Sequence, residues 1–365
     1  MKKSLLISIY FSLVITGFLS CKKEESIKST EDKFLYVLTN NVDSNAVLTY
    51  SRNSKDGSLA YLSKALTDGK GTGLPLMSQG PISISNDKKW ILAVNAQSNT
   101  ISALKIIDGG LERTSTISSN GGKPISITCF NNLVYVLNDN DNGKIAGYNL
   151  SNAGILTPIK NGVATLDITA TNPAQISFLQ DGKMLAITLK TTNKIVAFKL
   201  NVDGTPGEKF SIASNSPRPY GFAVGNQGNI YVSEAGQSAM SVYNVTTNGI
   251  TSVAGPLLTN QVSACWAATT PNGKYVYILN ANSNSVTGYT INSSSSFTKM
   301  QTSGITAITG LKPLDIAISD DSMFAYVLNY DDQSIRVFNI TPMGGLEKIE
   351  DRFNLPSGSS GIAVK

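Results

Sequence analysis

Three basic residues stand directly before a proline at widely separated points of the chain, namely Lys123, Arg218 and Lys312. Trp266 occupies a place that the sequence pattern indicates to be comparable. Ammonium and guanidinium groups that meet in one cleft bind carboxylates and phosphates, and they also polarise carbonyl groups. If these positions share a surface, they would suit an anionic sugar or a carboxylate ligand.

A second series consists of residues that end short apolar segments. Its members are Asn40, Asn95, Asn138, Asn280 and Asn329, with Leu189 and Glu234 at the two positions that depart from asparagine. Asparagine at such places caps backbone groups and tolerates unusual turn conformations, which is a structural role. Glu234 differs, because a carboxylate near Arg218 could activate water or form a local ion pair. We therefore take Glu234 and Arg218 as candidate catalytic residues, with Asp139 or Asp331 as alternative bases.

Residue usage excludes several kinds of site. The chain contains no histidine, and two of its three cysteines, Cys129 and Cys265, lie in apolar surroundings at non-equivalent positions. We expect them to be buried thiols without a disulfide. A zinc or copper site is not expected, and no cofactor is predicted. The formal net charge of +5 is spread along the chain, so nucleic-acid binding has no support.

These residues are carried by an internal repeat. An apolar residue followed three positions later by an aromatic residue or leucine recurs at intervals of about 48 residues. The pairs are Val47/Tyr50, Ile101/Leu104, Ile145/Tyr148, Ile195/Phe198, Met240/Tyr243, Val286/Tyr289 and Ile335/Phe338. Apolar or alternating segments before each pair and a short segment after it make a unit of four strands, a to d. Seven such units predict an all-β, seven-bladed β-propeller of four-stranded antiparallel blades.

Turn residues agree with this division of the unit. Asp181 and Gly182 lie between strands a and b, and Asp203 and Gly204 lie between strands c and d. Asp-Gly and Asn-Gly pairs supply the positive φ of two-residue hairpins, so they indicate antiparallel neighbours. In such a blade the start of strand a and the end of strand b share one face. The predicted ligand-binding funnel on that face contains Lys123, Arg218, Glu234, Trp266, Lys312, Asn95, Asn138, Asn280 and Asn329.

The two chain ends complement each other. The first unit begins at strand b, from Phe34 to Asn40, without a strand a before it. Residues 360–365 repeat the strand-a pattern and then stop. We therefore expect the C-terminal strand to complete the first blade and close the ring.

The segment from Tyr277 to Val286, with residues 271–274 before it, resembles the YVTN-type repeat of the seven-bladed lactonase-like β-propeller family. The family includes 6-phosphogluconolactonase-like enzymes, and the resemblance spans residues 33–365. It implies the propeller fold, and residues 216–219 resemble the Pro-Arg segment that opens inner strands in the family. Catalytic members are expected to place a histidine in the funnel, and this chain has none.

The N-terminus has the pattern of an export signal. Residues 1–20 contain two early lysines and an apolar stretch too short to span a bilayer comfortably. The following Cys21 resembles the lipidated cysteine of a bacterial lipoprotein, although an uncleaved anchor or an ordinary secretory signal would also fit. Residues 21–32 are polar and predict a flexible tether, and residues 33–365 predict a single domain.

From these patterns we expect a monomeric protein of the bacterial cell envelope, on the outer-membrane, periplasmic or surface face, attached to the membrane by its lipid anchor alone. The expected function is noncatalytic binding of a protein or of a small anionic or carbohydrate ligand, with an adhesin-like role as one form. The alternative function is hydrolysis of a sugar lactone. On this reading the protein is more readily a binding module than an enzyme, and any enzyme activity would be that of a lactonase.

Overall fold

Seven antiparallel sheets, each with four main strands, follow one another along the chain in the computed structural model of the protein. The structure describes residues 33–140, 142–166, 172–179 and 181–365. The predicted signal peptide, Cys21 and the tether up to residue 32 lie outside the described residues. No helix within the described ranges is long and apolar enough to cross a membrane.

The strands of each blade are given from the innermost, a, to the outermost, d. Blade 1 contains β29 (Ile362–Val364), β1 (Phe34–Leu38), β2 (Ala46–Arg52) and β3 (Leu59–Leu66). Blade 2 contains β4 (Ile82–Ile84), β5 (Trp90–Asn95), β6 (Thr100–Ile107) and β7 (Gly110–Ser118). Blade 3 contains β8 (Pro124–Phe130), β9 (Leu133–Asn138), β10 (Lys144–Leu150) and β11 (Leu156–Thr165). Blades 4 and 5 contain β12 (Pro173–Phe178), β13 (Met184–Leu189), β14 (Lys194–Leu200) and β15 (Pro206–Ala213); and β16 (Pro219–Val224), β17 (Asn229–Glu234), β18 (Ala239–Thr246) and β19 (Gly249–Leu258). Blade 6 contains β20 (Ala264–Thr269), β21 (Tyr275–Asn280), β22 (Ser285–Ile291) and β23 (Phe297–Lys299), and β24 (Ala307–Ile308) also pairs with β22. Blade 7 contains β25 (Pro313–Ile318), β26 (Phe324–Asn329), β27 (Ser334–Ile340) and β28 (Leu346–Arg352). A short 3-10 helix, Asn226–Gly228, joins β16 to β17.

Burial follows the position of a strand in its blade. Central strands such as β5 and β21 are buried along their whole length, whereas the outer strand β3 is mostly exposed. The innermost strands of successive blades contact one another, and β25 of blade 7 contacts β29 of blade 1. The blades therefore form a closed ring around a central channel, as the repeat predicted.

Tyrosine hydroxyls tie several blades to the next. Tyr135 donates to the carbonyl of Gly204 at 2.5 Å, and Tyr277 donates to that of Gly344 at 2.9 Å. Each acceptor is a left-handed glycine in the turn between strands c and d of the following blade. Tyr326 makes the same bond at 3.0 Å to Gly57, which joins blade 7 to blade 1. These strand-b tyrosines thus satisfy a turn carbonyl of the adjacent blade, in addition to filling the core.

The C-terminal strand completes the first blade, which confirms the predicted closure. β29 pairs antiparallel with β1, with Ile362 opposite Val37 and Val364 opposite Leu35. Backbone bonds from Ser360 to Leu38 and from Lys365 to Phe34 extend the pairing on both sides, at 2.9 and 2.8 Å. No edge of β1 is left unpaired toward the channel.

A buried carboxyl group spans the closing seam between blades 7 and 1. Asp315 of β25 is 2% exposed, and its Oδ1 accepts a hydrogen bond from the backbone N–H of Ile316 at 2.9 Å. Its Oδ2 accepts from the N–H of Ile362 at 3.2 Å, which links the last blade to the closing strand. Burial raises the pKa of Asp315 to about 7, and the two hydrogen bonds oppose that rise.

This pKa predicts a pH-dependent contribution to stability. Well below pH ~4 the carboxyl is protonated in both the folded and unfolded states, so its contribution to stability is then fully present. As the pH rises toward 7, the Asp315 carboxyl ionises first in the unfolded chain. The stability that this group contributes to the folded protein is then lost. A shift of about three pKa units corresponds to roughly 4 kcal/mol of unfolding free energy as an upper figure.

We therefore expect Asp315→Asn, which cannot ionise, to remove this decline. Urea unfolding at pH 5 and pH 8 should show the stability difference between wild type and variant moving by about 2 to 3 kcal/mol in favour of the variant, because part of the effect is already lost at pH 5. Asp108→Asn, at an exposed position, is the matched control and should show no such movement. A difference that stays constant with pH would contradict the assignment.

Candidate functional site

The mouth of the channel is lined by one residue before strand a and one residue after strand b of each blade. In blades 3 to 7 the backbone N–H of the second donates to the carbonyl of the first, at 2.9 to 3.2 Å. The pairs are Lys123 with Asp139, Asn172 with Lys190, Arg218 with Ala235, Ser263 with Ala281, and Lys312 with Tyr330. The first member of each pair has a positive φ, between 43 and 63°, which ends the regular strand there. We call the surface that these pairs surround the funnel.

The asparagine series does not line the funnel. Asn95, Asn138, Asn280, Asn329 and Glu234 are all 0% exposed. They occupy the last position of strand b, and the next residue projects toward the channel mouth because side chains alternate along a strand. The amides of Asn95, Asn138 and Asn329 pack against Gly69, Gly121 and Gly310 in the loops that enter their blades. The structural role of these asparagines is thus to anchor the loops between blades.

Glu234 serves its own blade in the same way, which revises its predicted place as a catalytic funnel residue. Its Oε2 accepts from the hydroxyl of Ser241 at 2.6 Å, and its Oε1 accepts from that of Tyr243 at 2.7 Å. Burial raises the pKa of the Glu234 carboxyl, and hydrogen bonds from these hydroxyls and from the backbone of Ser216 and Asn215 oppose the rise. Within the described part of the chain, no ion pair within 4.0 Å joins this carboxylate to Arg218. Glu234 therefore holds the loop that presents the arginine, while its own oxygens are enclosed.

The connection between blades 1 and 2 crosses the channel mouth. It comprises residues 67–81, whereas the connection between blades 2 and 3 comprises residues 119–123. Ser78 donates its hydroxyl to the carbonyl of Ile125 in blade 3, and the N–H of Gln79 donates to Ala174 in blade 4. The Gln79 amide also bonds both backbone groups of Ala267 in blade 6, at 2.7 and 3.1 Å. We call residues 76–80 the plug, because they bridge innermost strands across the channel and form the floor of the funnel.

Close packing around the plug requires a glycine in blade 5. A Cβ at position 221 would collide with Oε1 of Gln79. Gly221 therefore lets the glutamine side chain pass β16 and reach blade 6.

Two aromatic residues complete the floor. Trp266 lies inside β20 and is 1% exposed, and Ser263 rather than Trp266 occupies the position equivalent to Arg218. The indole N–H donates to the carbonyl of Ser78 at 3.2 Å, and the ring lies 5.9 Å from that of Tyr220. The tryptophan thus holds the plug from a buried position inside its strand, which differs from its predicted place on the rim.

Lys190 is a funnel residue that the sequence reasoning missed. Its Nζ donates to the carbonyl of Met77 in the plug at 2.7 Å and lies 4.7 Å from the ring centre of Tyr220. Burial lowers the pKa of Lys190 to about 8; the charge of Asp139 opposes this, and those of Lys123 and Arg218 add to it. A signal was present, because Lys190 directly follows Leu189, one of the two positions where the asparagine series is broken.

The other predicted cations lie at the rim. Lys123 forms an ion pair with Asp139 of its own blade, with Nζ and Oδ2 2.7 Å apart. Lys312 lies 3.9 Å from Asp331 and 5.3 Å from the ring centre of Tyr330. Arg218 is exposed and lies beside Tyr220. Burial raises the pKa of the Tyr220 phenol, and the guanidinium of Arg218 opposes part of that rise. Lys123 and Lys190, from blades 3 and 4, thus both interact with the carboxylate of Asp139, whereas Lys312 of blade 7 lies beside Asp331.

The two cysteines of the propeller are buried thiols, as expected. Cys129 and Cys265 are free and buried, which confirms that they form no disulfide. Burial raises the pKa of both thiols to about 12, so neither forms a thiolate nucleophile near neutral pH. Among the described residues, no group of three or more His, Cys, Asp or Glu is placed to hold a metal ion.

Comparison with known proteins gives a family match. The sequence profile of the family described as "Lactonase, 7-bladed beta-propeller" matches residues 108–354. Comparison with curated proteins returns no significant match. A solved structure from Bacteroides fragilis, described as a candidate 6-phosphogluconolactonase, is 18% identical with a TM-score of 0.76, and the match covers 92% of this chain and 99% of that one. A periplasmic gluconolactonase from Pseudomonas aeruginosa is 15% identical with a TM-score of 0.73, covering 91% of this chain and 98% of that one.

Proposed function

Since the chain belongs to the family of seven-bladed β-propeller lactonases, we propose that it hydrolyses a sugar lactone bound in the funnel. Family membership overturns the expectation of a noncatalytic binding propeller with an adhesin-like role. The likeness to proteins described as gluconolactonases favours the same conclusion. The observation that carries the proposal is the Asp139 carboxylate, which pairs with Lys123 and acts on the buried Lys190, at a rim that also carries Arg218 and Lys312.

The substrate class follows from the charges of the rim. Lys123, Arg218 and Lys312 come from three different blades and are partly exposed. Such groups bind a carboxylate or phosphate on the sugar, and the hydroxyls of the sugar suit the polar rim. An anionic sugar lactone, such as a phosphorylated gluconolactone, is therefore the preferred substrate.

Asp139 is the general base of the proposed reaction. Its carboxylate takes a proton from water as the water oxygen adds to the lactone carbonyl carbon. The tetrahedral intermediate then breaks the bond between that carbon and the ring oxygen, which leaves with the proton from Asp139. The product is the open hydroxy acid, and no cofactor enters the balance.

The cell compartment is part of the same proposal. Lipid attachment at Cys21 and placement in the cell envelope stay predictions, because residues 1–32 lie outside the described residues. The similar protein from Pseudomonas aeruginosa is described as periplasmic, which is compatible with an exported lactonase.

The experiment is a lactone-opening assay with purified residues 33–365 on gluconolactone and 6-phosphogluconolactone, corrected for spontaneous hydrolysis. We expect turnover with preference for the phosphorylated substrate. Arg218→Ala should lower kcat/KM about 100-fold, chiefly through KM, since it removes binding to the anionic group. Arg113→Ala, on outer strand β7, is the matched control. Absence of turnover over both lactones, with intact folding, would refute the proposed function.

A further inference from the structure

Lys190 is held in a definite position between the floor and the rim of the funnel. One of its ammonium hydrogens is donated to Met77 of the plug at 2.7 Å, and one side of the group faces the Tyr220 ring at 4.7 Å. An ammonium carries three donors, so donor capacity remains after the bond to the plug. The residue is only 4% exposed, so few water molecules compete for that capacity.

Two contacts stabilise the charged form of this lysine, although its burial disfavours that form and lowers its pKa. The carbonyl of Met77 and the face of Tyr220 both interact favourably with a cation. Among the described residues, no carboxylate lies within 4.0 Å of Nζ to neutralise it. The charged or titratable groups that act on it are Asp139, Lys123, Cys265 and Arg218. A cation that is preorganised and poorly hydrated stabilises a developing negative charge far better than one in water.

We propose that Lys190 binds the carbonyl oxygen of the lactone and stabilises the oxyanion of the tetrahedral intermediate, with Met77 of the plug as its positioning partner. This inference rests on the proposed lactonase function. Three groups then have separate roles in the reaction. Asp139 transfers the proton, Arg218 binds the anionic part of the substrate and Lys190 stabilises the oxyanion. The plug is then part of the site, because it supplies the carbonyl that orients the ammonium.

The division has a kinetic signature. An interaction made chiefly in the transition state lowers kcat when it is removed and leaves KM nearly unchanged. We expect Lys190→Met, which keeps the length of the side chain, to lower kcat by about 10²- to 10³-fold with KM within a few-fold of wild type. Lys183→Met, in the turn between strands a and b of the same blade, is the matched control and should keep wild-type kinetics.

The pH profile separates this role from that of a base. Since Lys190 must be protonated to bind the oxyanion, wild-type kcat should fall as the pH rises through about 8. Lys190→Arg, if active, should keep its kcat above that pH, because guanidinium stays charged. Ethylammonium added to Lys190→Ala should restore part of the lost kcat at pH 7, as a cation placed in the vacated space.

The outcomes distinguish the two proposals. If the wild type opens the lactone and Lys190→Met does so with the same kcat, the inference is overturned and the lactonase function stands. A wild-type kcat that rises through pH 8 would overturn it as well, since a base gains activity on deprotonation. A wild type without turnover on either lactone would overturn the function and, with it, the role of Lys190.

Discussion

Deleting residues 360–365 is expected to lower the free energy of unfolding by about 5 kcal/mol or more. The deletion removes all the pairing of β29 with β1, together with the backbone bonds of Ser360 and Lys365 that flank it. It also removes the buried side chain of Ile362 and leaves the carboxyl of Asp315 without one of its two donors. Several ladder bonds at about 1 kcal/mol each and one buried aliphatic side chain at about 2 kcal/mol account for the figure.

Urea unfolding followed by tryptophan fluorescence measures this loss, and size-exclusion chromatography measures its second consequence. An unpaired β1 edge facing the channel is a template for association, so the truncated protein should form soluble aggregates. Replacement of Ser293 to Ser296 by glycine is the control, since those residues lie in an exposed loop of blade 6. A truncated protein that unfolds at the wild-type urea concentration would refute closure by β29.

Asp139→Asn should abolish nearly all lactone opening, with kcat reduced about 10³-fold or more. The amide keeps the size of the side chain and cannot accept the proton of the attacking water. The side chain is 16% exposed at the mouth of the channel and its ion pair with Lys123 is partly solvated, so folding should change little. The expected result is therefore a stable protein with nearly unchanged KM and very low kcat.

Asp331→Asn is the matched control for this prediction. Asp331 also lies near a rim lysine, Lys312, but at 3.9 Å and with its side chain 51% exposed. Its substitution should change kcat by no more than a few-fold. If Asp331→Asn were inactive and Asp139→Asn active, the base would have to be reassigned to blade 7.

The path of the plug illustrates what a local pattern leaves open. The interval between Tyr50 and Leu104 is the longest in the repeat, so extra residues between blades 1 and 2 were detectable. Their course was not, because it depends on bonds from Ser78 and Gln79 to blades 3, 4 and 6. Such contacts exist only after the ring has brought those blades together.

The direction of a single side chain decided the composition of the funnel. Glu234 was placed at the end of its strand correctly, yet its carboxylate is enclosed by Ser241 and Tyr243. One position further along the equivalent strand of blade 4, Lys190 reaches the floor. Successive side chains of a strand point to opposite faces. A sequence-based assignment that is wrong by one residue therefore places a buried side chain in the site, or a site side chain in the interior.

By itself, therefore, the sequence determined the number of blades, their four strands and the closure by the C-terminal strand. Those features depend on the alternation of apolar and polar residues along each strand and on the Asp-Gly and Asn-Gly turns between strands. Both involve residues that are near one another in the chain, and the strand pattern recurs from unit to unit. It also determined that Lys123, Arg218 and Lys312 share one rim. The tertiary structure alone decided that the plug bridges blades 3, 4 and 6 and that Lys190 contacts it, because these contacts join blades far apart in the chain. It alone also decided that the carboxylate of Glu234 is enclosed in its own blade.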